Sequence, residues 1–272
     1  MIVTDHHDVP FEIKDDKKVY IVPPADAVIN PKQADCDYPF KLLCGAGVAY
    51  KLISLLYDRL GLDKKELEDY IEFMAIATVG DIVDLIDENR IVVKYGLKHI
   101  AHTKNTGLRA LIEECQLDIN NISSYHIGFV IGPCLNASGR LDTARQAIEL
   151  MLCKDNEKAH NMAKELIALN NERKSMTEQE TQKAIELVEN TGLLKDRVLV
   201  IYLKDCHESI AGIIAGRIKE RYYRPTFVIT NAEDGAKGSG RSIEGYNMYE
   251  EINNVKMFSL NMVDILWRLV YH

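Results

Sequence analysis

The sequence lacks the features that mark secreted, membrane and zinc-ribbon proteins. Its six cysteines are widely spread and form no Cys-x-x-Cys pair, so neither a zinc site nor a disulfide scaffold is implied, and we expect reduced thiols. The N-terminus carries acids and histidines where a secretory signal needs a basic and then an apolar stretch, and no uninterrupted apolar segment is long enough to span a bilayer. The cytoplasm is therefore the predicted location.

An excess of positive charge is also missing. The formal net charge of −8 argues against a generally basic nucleic-acid binder. It does not exclude a basic groove, because metal ions and local clusters of Lys and Arg can compensate for a mostly acidic surface. With 272 residues, 47% of them hydrophobic, the chain can form two modest domains with real cores.

An Asp5-His6-His7 triplet directly follows a short apolar run. At the carboxyl end of a parallel strand it would lie in the crevice where open α/β folds bind ligands. Carboxylate and imidazole donors suit Mn²⁺, or Mg²⁺ with further carboxylates. Alone, such a triplet is more often an exposed turn or a structural cluster.

A second acidic candidate lies in the nearly unbroken apolar segment 71–87, which contains Asp81 and Asp84. A carboxylate in such surroundings is unfavourable unless it is paired or bound to metal. We predict that Asp81 is a ligand, although capping is the ordinary role of an Asp after Gly. Gly45 and Gly47, before an apolar helix, are only a weak signal for phosphate binding.

Two later segments offer groups that suit phosphate. Residues 133–141 form a polar island between apolar helices and contain Arg140, which can grip a phosphate bidentately. The alternative there is a helix start capped by Ser138 or Asp142. Residues 237–242 combine glycines, hydroxyls and two cations, which suits a phosphodiester held by amides and charge, although a turn is the commoner structure for such a stretch.

The coarse pattern is that of an α/β protein. We predict strands at residues 2–4 and 19–22, mostly helices from about 45 to 152, and a β-α-β unit over 198–229. Between the halves, residues 155–190 are polar with apolar residues at helical spacing, and Asp155 and Gly192 are suited to begin and close that helix. A solvated amphipathic helix packed on one domain would show the same pattern.

Together these segments resemble the DHH phosphoesterase superfamily, and specifically RecJ-type single-stranded-DNA-specific exonucleases. Asp5-His6-His7 matches the triplet that gives the superfamily its name. The other matches run in the same order along the chain: Asn30-Pro31, residues 44–47, residues 78–81, residues 136–140, residues 207–217 and residues 238–242. The resemblance extends from Met1 to about Asn253, so it is far more specific than any single motif.

The resemblance implies an incomplete Rossmann-like parallel-sheet DHH domain, a long connecting helix and a smaller α/β DHH-associated domain. The corresponding segments are a partial catalytic domain at 1–153, a connecting helix at 154–192, a partial DHH-associated domain at 193–255 and an aberrant tail at 256–272. A single strand would lie in the cleft between the two domains.

The implied activity is hydrolysis of single-stranded DNA from its 5′ end with Mn²⁺ or Mg²⁺, in repair and recombination. Two ions can clamp the attacking and leaving oxygens. By this resemblance the catalytic residues are Asp5, His6, His7 and Asp81, with His6 and Asp81 as metal ligands and Asp5 orienting its neighbours. The implied substrate-binding residues are His7, Asn136, Arg140, His207, Arg241 and Ser242.

The chain also departs from the family at both ends. RecJ-type proteins carry aspartate-bearing strands before the triplet, and this chain does not; we therefore expect weak metal binding, little or no hydrolysis, and an apolar sheet edge that favours aggregation or a separately encoded N-terminal fragment. The residues after Asn253 lack the family's Gly-Gly-His element. One codon assignment for residues 261–272, read from its third base, encodes Tyr-Gly-Gly-His-Pro-Met-Ala-Ala-Gly-Leu-Ser, so we infer a frameshift near Lys256.

Two alternatives remain. DHH relatives also include oligoribonucleases, nucleotide phosphatases and pyrophosphatases, although the linker helix and residues 136–140 favour the RecJ type. The chain could instead be a noncatalytic single-strand-binding remnant.

Overall fold

The computed structural model describes residues 1–15, 17–141, 144–232 and 235–255. The strands are β1 (Ile2–Thr4), β2 (Phe11–Lys14), β3 (Lys17–Tyr20), β4 (Ala27–Ile29), β5 (Leu199–Tyr202), β6 (Thr226–Ala232) and β7 (Gly235–Arg241). The helices are α1 (Gly45–Leu60), α2 (Lys65–Glu68), α3 (Ile71–Gly80), α4 (Asp87–Ile100), α5 (Thr106–Glu114), α6 (Ser124–His126), α7 (Gly132–Leu141), α8 (Arg145–Leu152), α9 (Asn156–Asn190), α10 (Glu208–Tyr222) and α11 (Met248–Val255). Short 3₁₀ turns at Ile119–Asn121 and Leu193–Lys195 and a π-helical turn at Ile127–Ile131 complete the pattern.

The chain divides into two compact units. The first comprises residues 1–138 and 144–167, and the second comprises residues 139–143 and those from 168 onward. These divisions differ from the four predicted segments, because α9 supplies residues to both units and the end of α7 is grouped with the second. The segment limits stay predictions.

A small parallel sheet carries the triplet in the first unit. β1 pairs with β4, with Val3 opposite Val28 and Thr4 opposite Ile29. The N–H of Asp5 donates to the carbonyl of Ile29 at 3.0 Å, so the pairing continues into the first residue of the triplet. Asp5 therefore lies at the carboxyl end of a parallel strand, as the sequence predicts.

The predicted strand at residues 19–22 is different in the structure. β3 ends at Tyr20 and pairs antiparallel with β2 in an exposed hairpin, with Phe11 opposite Tyr20. The parallel partner of β1 is β4, which the sequence analysis missed. A three-residue strand is too short for its alternation to be recognised.

Helices pack closely around α3 in the first unit. Leu43, Val48, Ile71 and Met74 form one buried cluster. At the contact between α3 and α4, a Cβ added to Gly96 would lie 2.5 Å from the Cβ of Ala75 and 2.8 Å from the carbonyl oxygen of Ile71. The two backbones can approach this closely only because residue 96 has no side chain.

Residues 133–141 were predicted to interrupt the apolar helices as a polar island, and this is wrong because the helix α7 spans them. This helix continues directly from the π-helical turn, so Ser138 does not begin it. Asp142 lies outside the described residues. Ser138 is fully buried, and its hydroxyl donates to the carbonyl of Leu135 at 3.4 Å. Buried Cys134 and Ala137 hold one side of α7 in the core, where packing outweighs the weak helix propensity of Asn, Ser and Gly.

The long predicted helix is present as α9. The Oδ1 atom of Asp155 accepts the N–H of Lys158 at 2.8 Å, which caps the start of the helix. Gly192, with φ of 79°, lies just beyond its end in the left-handed conformation that glycine tolerates. Asp155 and Gly192 therefore lie at the two ends of the helix, where the sequence analysis predicts them.

The second unit contains the predicted β-α-β unit and one further strand. β5 and β6 are parallel and joined by α10, and β7 pairs antiparallel with β6. The core lies between this sheet and two helices, with Ala184 from α9, Ile210 and Ile214 from α10, and Leu199 and Val228 from the strands. A turn was the alternative to a phosphate-binding role for the glycine-rich segment 237–242, and the structure places this segment in β7 as far as Arg241.

Candidate active site

One carboxylate oxygen organises the triplet. Asp5 Oδ1 lies 2.7 Å from His7 Nδ1 and accepts the backbone N–H groups of His6 at 2.7 Å and His7 at 3.2 Å. Because a carboxylate only accepts, Nδ1 of His7 carries the proton and Nε2 is left as the basic nitrogen. The rings of His6 and His7 lie close together, with centroids 4.3 Å apart.

Asn30 fastens the triplet from the neighbouring strand. It follows β4, is 4% exposed, and donates from Nδ2 to the carbonyl of His7 at 2.8 Å. Its Oδ1 accepts the N–H of Lys32 at 2.9 Å. This amide therefore ties the end of the triplet to the turn that begins at Asn30.

His6 and Asp81 come together from distant parts of the sequence. The Nε2 atom of His6 is 3.7 Å from Oδ2 of Asp81. Asp81 directly follows the last residue of α3, where its N–H donates to the carbonyl of Ala77 at 2.8 Å. The next residue, Ile82, has φ of 54°, an unfavourable conformation for a β-branched residue that turns the chain away from the helix axis.

Gly45 makes room for the ring of His6. A Cβ on Gly45 would lie 3.3 Å from Cδ2 and 3.7 Å from Nε2 of His6. The sequence marked this glycine only as a weak phosphate signal, so its contact with the imidazole was not predicted. A glycine at the first position of a helix gives no sequence signal for such a partner.

Asp81 and Asp84 are exposed, contrary to the expectation that they lie in apolar surroundings. The side chain of Asp81 is 46% exposed, and Asp84 is also exposed. The reason is that α3 ends at Gly80 and the chain continues through a surface turn. The capping alternative holds only in part, because Asp81 occupies the C-cap position of α3, where its backbone N–H rather than its carboxylate makes the hydrogen bonds.

The electrostatics keep the triplet in a state suited to metal. Burial lowers the pKa of His6, and His7 lowers it further, while Asp81 and Asp5 act in the opposite direction. Burial alone would raise the pKa of Asp5, but the hydrogen bonds from His7 and His6 outweigh it and the pKa is lowered. Both shifts favour the deprotonated forms of His6 and Asp5, and divalent ions require deprotonated ligands.

The donor set fits part of a divalent-cation site. Ligands of Mg²⁺ lie about 2.1 Å from the ion, so two of them can be separated by up to about 4 Å, and the distance of 3.7 Å between His6 and Asp81 lies within that span. Nitrogen and carboxylate oxygen together suit Mn²⁺, whereas Mg²⁺ would need further carboxylates. Across the described ranges, however, no three His, Cys, Asp or Glu side chains are grouped to hold an ion.

In the second unit, predicted substrate residues gather at the start of α10. His207 caps this helix, with Nδ1 2.7 Å from the hydroxyl of Ser209. Arg140 Nη1 donates to the carbonyl of Ser209 at 2.9 Å. Two residues that are far apart in sequence thus meet at a helix N-terminus, where backbone N–H groups favour anions. Ser209 was not among the predicted residues.

The guanidinium of Arg241, from β7, lies beside Gly212 of α10, one turn after Ser209. A Cβ on Gly212 would be 2.9 Å from Nη2 of Arg241 and 2.8 Å from the hydroxyl of Ser239. Residues 237, 239 and 241 alternate along β7, and Lys237 pairs with Glu208 at 2.9 Å, so this face of the strand is directed at α10. Ser239 was not predicted as a site residue, although the alternation of side chains along residues 235–241 would have indicated it.

The remaining predicted residues are placed differently. Ser242 donates to the carbonyl of Tyr246, which fastens the turn that follows β7. Asn136 is exposed on α7 in the first unit. Neither is drawn by a hydrogen bond toward the start of α10.

Comparison with known proteins gives a consistent result. A DHHA1 domain model matches residues 195–258. The RecJ single-stranded-DNA-specific exonuclease of Bacillus subtilis is 36% identical over 94% of this chain and 31% of its own length, and that of Escherichia coli is 35% identical over 94% and 45%. This chain is RecJ-like.

Solved structures agree with the RecJ-like assignment. RecJ of Thermus thermophilus in complex with Mn²⁺ matches 96% of this chain and 36% of that protein, with a TM-score of 0.79 and 29% identity. A RecJ exonuclease bound to manganese matches 93% and 59%, with a TM-score of 0.75 and 30% identity. The fold class predicted from sequence is therefore confirmed.

The RecJ-like chain spans less than half the length of the curated RecJ proteins that it matches, between 31% and 46%. The predicted frameshifted tail at 256–272 lies outside the described residues. Among the residues that are described, no helix has the length and apolar character needed to cross a membrane.

Proposed function

We propose that this chain is part of a metal-dependent phosphodiesterase that degrades single-stranded DNA from its 5′ end. The observation that carries the proposal is the convergence of His6 and Asp81, 3.7 Å apart, at the carboxyl end of β1. The curated relatives are named as single-stranded-DNA-specific exonucleases, and solved relatives contain Mn²⁺ or Mg²⁺. These names support the same chemistry here.

His6 and Asp81 would hold the divalent ion. Such an ion would lower the pKa of bound water and polarise the phosphodiester. Asp5 fixes the orientation of His7 through its 2.7 Å contact with Nδ1, and by the resemblance His7 would lie beside the substrate phosphate. In this scheme Asp5, His6, His7 and Asp81 are the catalytic residues.

The start of α10 would bind the strand. Arg140 and His207 both contact Ser209 there, and Arg241 lies beside Gly212, one turn later in the helix. Two guanidinium groups therefore lie near the helix N-terminus, which carries a partial positive charge. Phosphodiester oxygens are the ligands that this arrangement suits. Asn136 and Ser242 are assigned to substrate contacts by resemblance alone.

A second candidate function is single-strand binding without hydrolysis. It is favoured by the limited donor set, since the described part of the chain groups no three His, Cys, Asp or Glu side chains that could hold an ion. The exonuclease proposal also includes a cytoplasmic location and a role in DNA repair or recombination.

Hydrolysis with matched aspartate variants tests the proposal. Single-stranded DNA labelled at either end would be incubated with the chain and Mn²⁺, and with EDTA as the metal-free control. Asp81→Asn is expected to reduce release of 5′ nucleotides by at least about 100-fold because it removes a ligand charge. Asp84→Asn alters an exposed aspartate of the same turn and is expected to retain activity.

The outcomes separate the candidates. Measurable hydrolysis that is equal in the wild type and Asp81→Asn would exclude this metal centre. Preference for dinucleotides over long strands would indicate an oligoribonuclease-like substrate instead. Salt-sensitive binding of single strands with no Mn²⁺-dependent cleavage would support the noncatalytic function.

A further inference from the structure

The turn that directly follows Asp81 has an unfavourable backbone conformation at both of its ends. This α3–α4 turn comprises residues 82–86. Its first residue, Ile82, has φ of 54°, and Asp87, directly after it, has φ of 41°. Residues other than glycine seldom adopt positive φ, and for a β-branched residue the conformation is strained. Such strain persists only where the surrounding structure enforces it, and it is concentrated at functional sites.

Side-chain packing does not enforce the conformation of the α3–α4 turn. None of the residues 81–87 is buried. Even the apolar side chains of the turn lie at the surface, with Ile82 69% exposed and Ile86 49% exposed. Because these side chains contribute little to a core, the strained conformation has to be held through hydrogen bonds to the backbone of the turn.

A buried amide makes such a hydrogen bond. Asn89, in the first turn of α4, is fully buried, and its Nδ2 atom donates to the carbonyl of Asp84 at 3.0 Å and to that of Leu42 at 2.7 Å. Its Oδ1 atom is also buried and accepts no hydrogen bond from the described residues. A buried acceptor without a partner costs free energy, so core stability alone does not account for an asparagine at this position.

Both carbonyls belong to segments that border the candidate metal centre. Asp84 is three residues after Asp81, whose Oδ2 atom is 3.7 Å from Nε2 of His6. Leu42 is three residues before Gly45, at which an added Cβ would lie 3.3 Å from the ring of His6. The buried amide therefore joins the segment that carries one metal ligand to the segment that borders the other.

We propose that Asn89 is a positioning residue, which holds the strained α3–α4 turn so that Asp81 lies beside His6 as a metal ligand. The inference rests on the proposed function and adds to it a residue that acts through the backbone of the ligand's own segment. Loss of a group that holds a metal ligand in place typically lowers metal affinity by about 10- to 100-fold.

Binding of Mn²⁺ without DNA tests this role separately from hydrolysis. The full chain would be titrated with Mn²⁺, and the free ion would be measured by electron paramagnetic resonance. Asn89→Ala removes both donated hydrogen bonds and is expected to weaken Mn²⁺ binding by about tenfold.

Asn105→Ala is the matched control. The half-buried Asn105 also donates from Nδ2 to a distant carbonyl, that of Met151 at 2.7 Å. It precedes α5, which supplies none of the site residues, so the Mn²⁺ affinity of this variant should stay within about twofold of the wild type. Both substitutions remove hydrogen bonds, and both should therefore lower the urea concentration at which the chain unfolds. Weaker Mn²⁺ binding in Asn89→Ala alone separates positioning from a general loss of stability.

A second substitution tests the strained turn itself. Asparagine adopts positive φ far more readily than isoleucine does, and Ile82 lies at the surface. Adding Ile82→Asn to Asn89→Ala should therefore recover most of the lost Mn²⁺ affinity, because the turn then needs less support. If Asn89→Ala does not fold, Asn89→Ser takes its place; the serine hydroxyl can still donate to one carbonyl, and Mn²⁺ binding should weaken in the same direction.

Equal Mn²⁺ affinity in the wild type and the Asn89 variant would overturn the positioning role and leave the proposed function intact. An equal loss of affinity in Asn105→Ala would also overturn it, since general destabilisation would then explain the effect. A loss that Ile82→Asn does not recover would show that Asn89 does not act by holding the strained turn, and would overturn the proposal as well. A folded wild type that binds no Mn²⁺ would instead reject the metal centre of the proposed function, and the role of Asn89 with it.

Discussion

Gly45 leaves room for the ring of His6 at the first turn of α1. The Cβ of an alanine there would lie 3.3 Å from Cδ2 of His6, which is tighter than ordinary contact, so the ring must shift by a few tenths of an ångström. A metal ligand tolerates such a shift poorly, because its direction toward the ion is fixed by its surroundings.

We therefore expect Gly45→Ala to weaken Mn²⁺ binding, measured by calorimetry, on the order of tenfold. The free energy of unfolding should change by less than about 1 kcal/mol, since the substitution is at the surface-facing start of a helix. Gly216→Ala, at a helical glycine with nothing within 4 Å of the added Cβ, is the matched control. Unchanged Mn²⁺ affinity in Gly45→Ala would show that the position of the His6 ring does not limit binding.

At the scale of elements, the contact between α3 and α4 holds α3, the helix that directly precedes Asp81. Gly96→Ala would place a Cβ 2.8 Å from the backbone oxygen of Ile71, and backbone cannot move aside as a flexible side chain can. We expect a destabilisation of about 1 to 3 kcal/mol, measured by urea unfolding. Gly216→Ala should instead stabilise by about 0.5 to 1 kcal/mol, so equal effects of the two variants would contradict this packing.

A buried carboxylate in the same helix pair gives a pH dependence. Glu72 is 1% exposed, accepts the hydroxyl of Thr103 at 2.6 Å and lies 3.4 Å from Nδ1 of His99. Burial raises its pKa, although the contacts with Thr103 and His99 act against the rise. The folded chain therefore binds a proton more tightly than the unfolded chain, whose value is near 4.5, and the free energy of unfolding falls as pH rises from there through the folded pKa.

Glu72→Gln should remove this fall. The glutamine carbonyl can still accept the hydroxyl of Thr103, so stability at pH 7 is expected to match or exceed that of the wild type. Urea unfolding between pH 5 and 7 measures the effect, with Glu165→Gln, which removes the same charge from the exposed surface of α9, as the control. A Glu72→Gln profile parallel to that of the wild type would contradict the role of Glu72.

The elements also show how far sequence reasoning reaches. Helix α9 and the β5-α10-β6 unit were predicted because each has a strong local period and residues suited to its ends. Strand β1 is as short as its partner β4 and was predicted only because an apolar run directly precedes the Asp5 triplet, whereas α7 is helical through packing of its buried face. In the site, the motif order predicted that His6 and Asp81 meet, whereas the contact of Gly45 with His6 arises only in three dimensions.

At the scale of the whole molecule, a net charge of −8 must be reconciled with the polyanionic substrate that we propose. The acidic residues repel a strand over most of the surface, so binding has to depend on few local cations. Arg140 and Arg241 at α10 are the two that the site supplies. Each phosphate neutralised on a single strand contributes a slope of about −0.7 to the plot of log affinity against log salt concentration.

Two such contacts predict a slope of about −1.4, which is shallow for a nucleic-acid-binding protein. Arg241→Gln is expected to reduce its magnitude by about 0.7, whereas Arg197→Gln, which removes an exposed charge from the same unit, should leave it unchanged. Fluorescence anisotropy with a single-stranded oligonucleotide between 50 and 200 mM salt, as rough bounds, measures the slope. Equal slopes for Arg241→Gln and the wild type would show that Arg241 does not meet a phosphate, and the strand-binding role of α10 would then depend on Arg140 and the helix terminus.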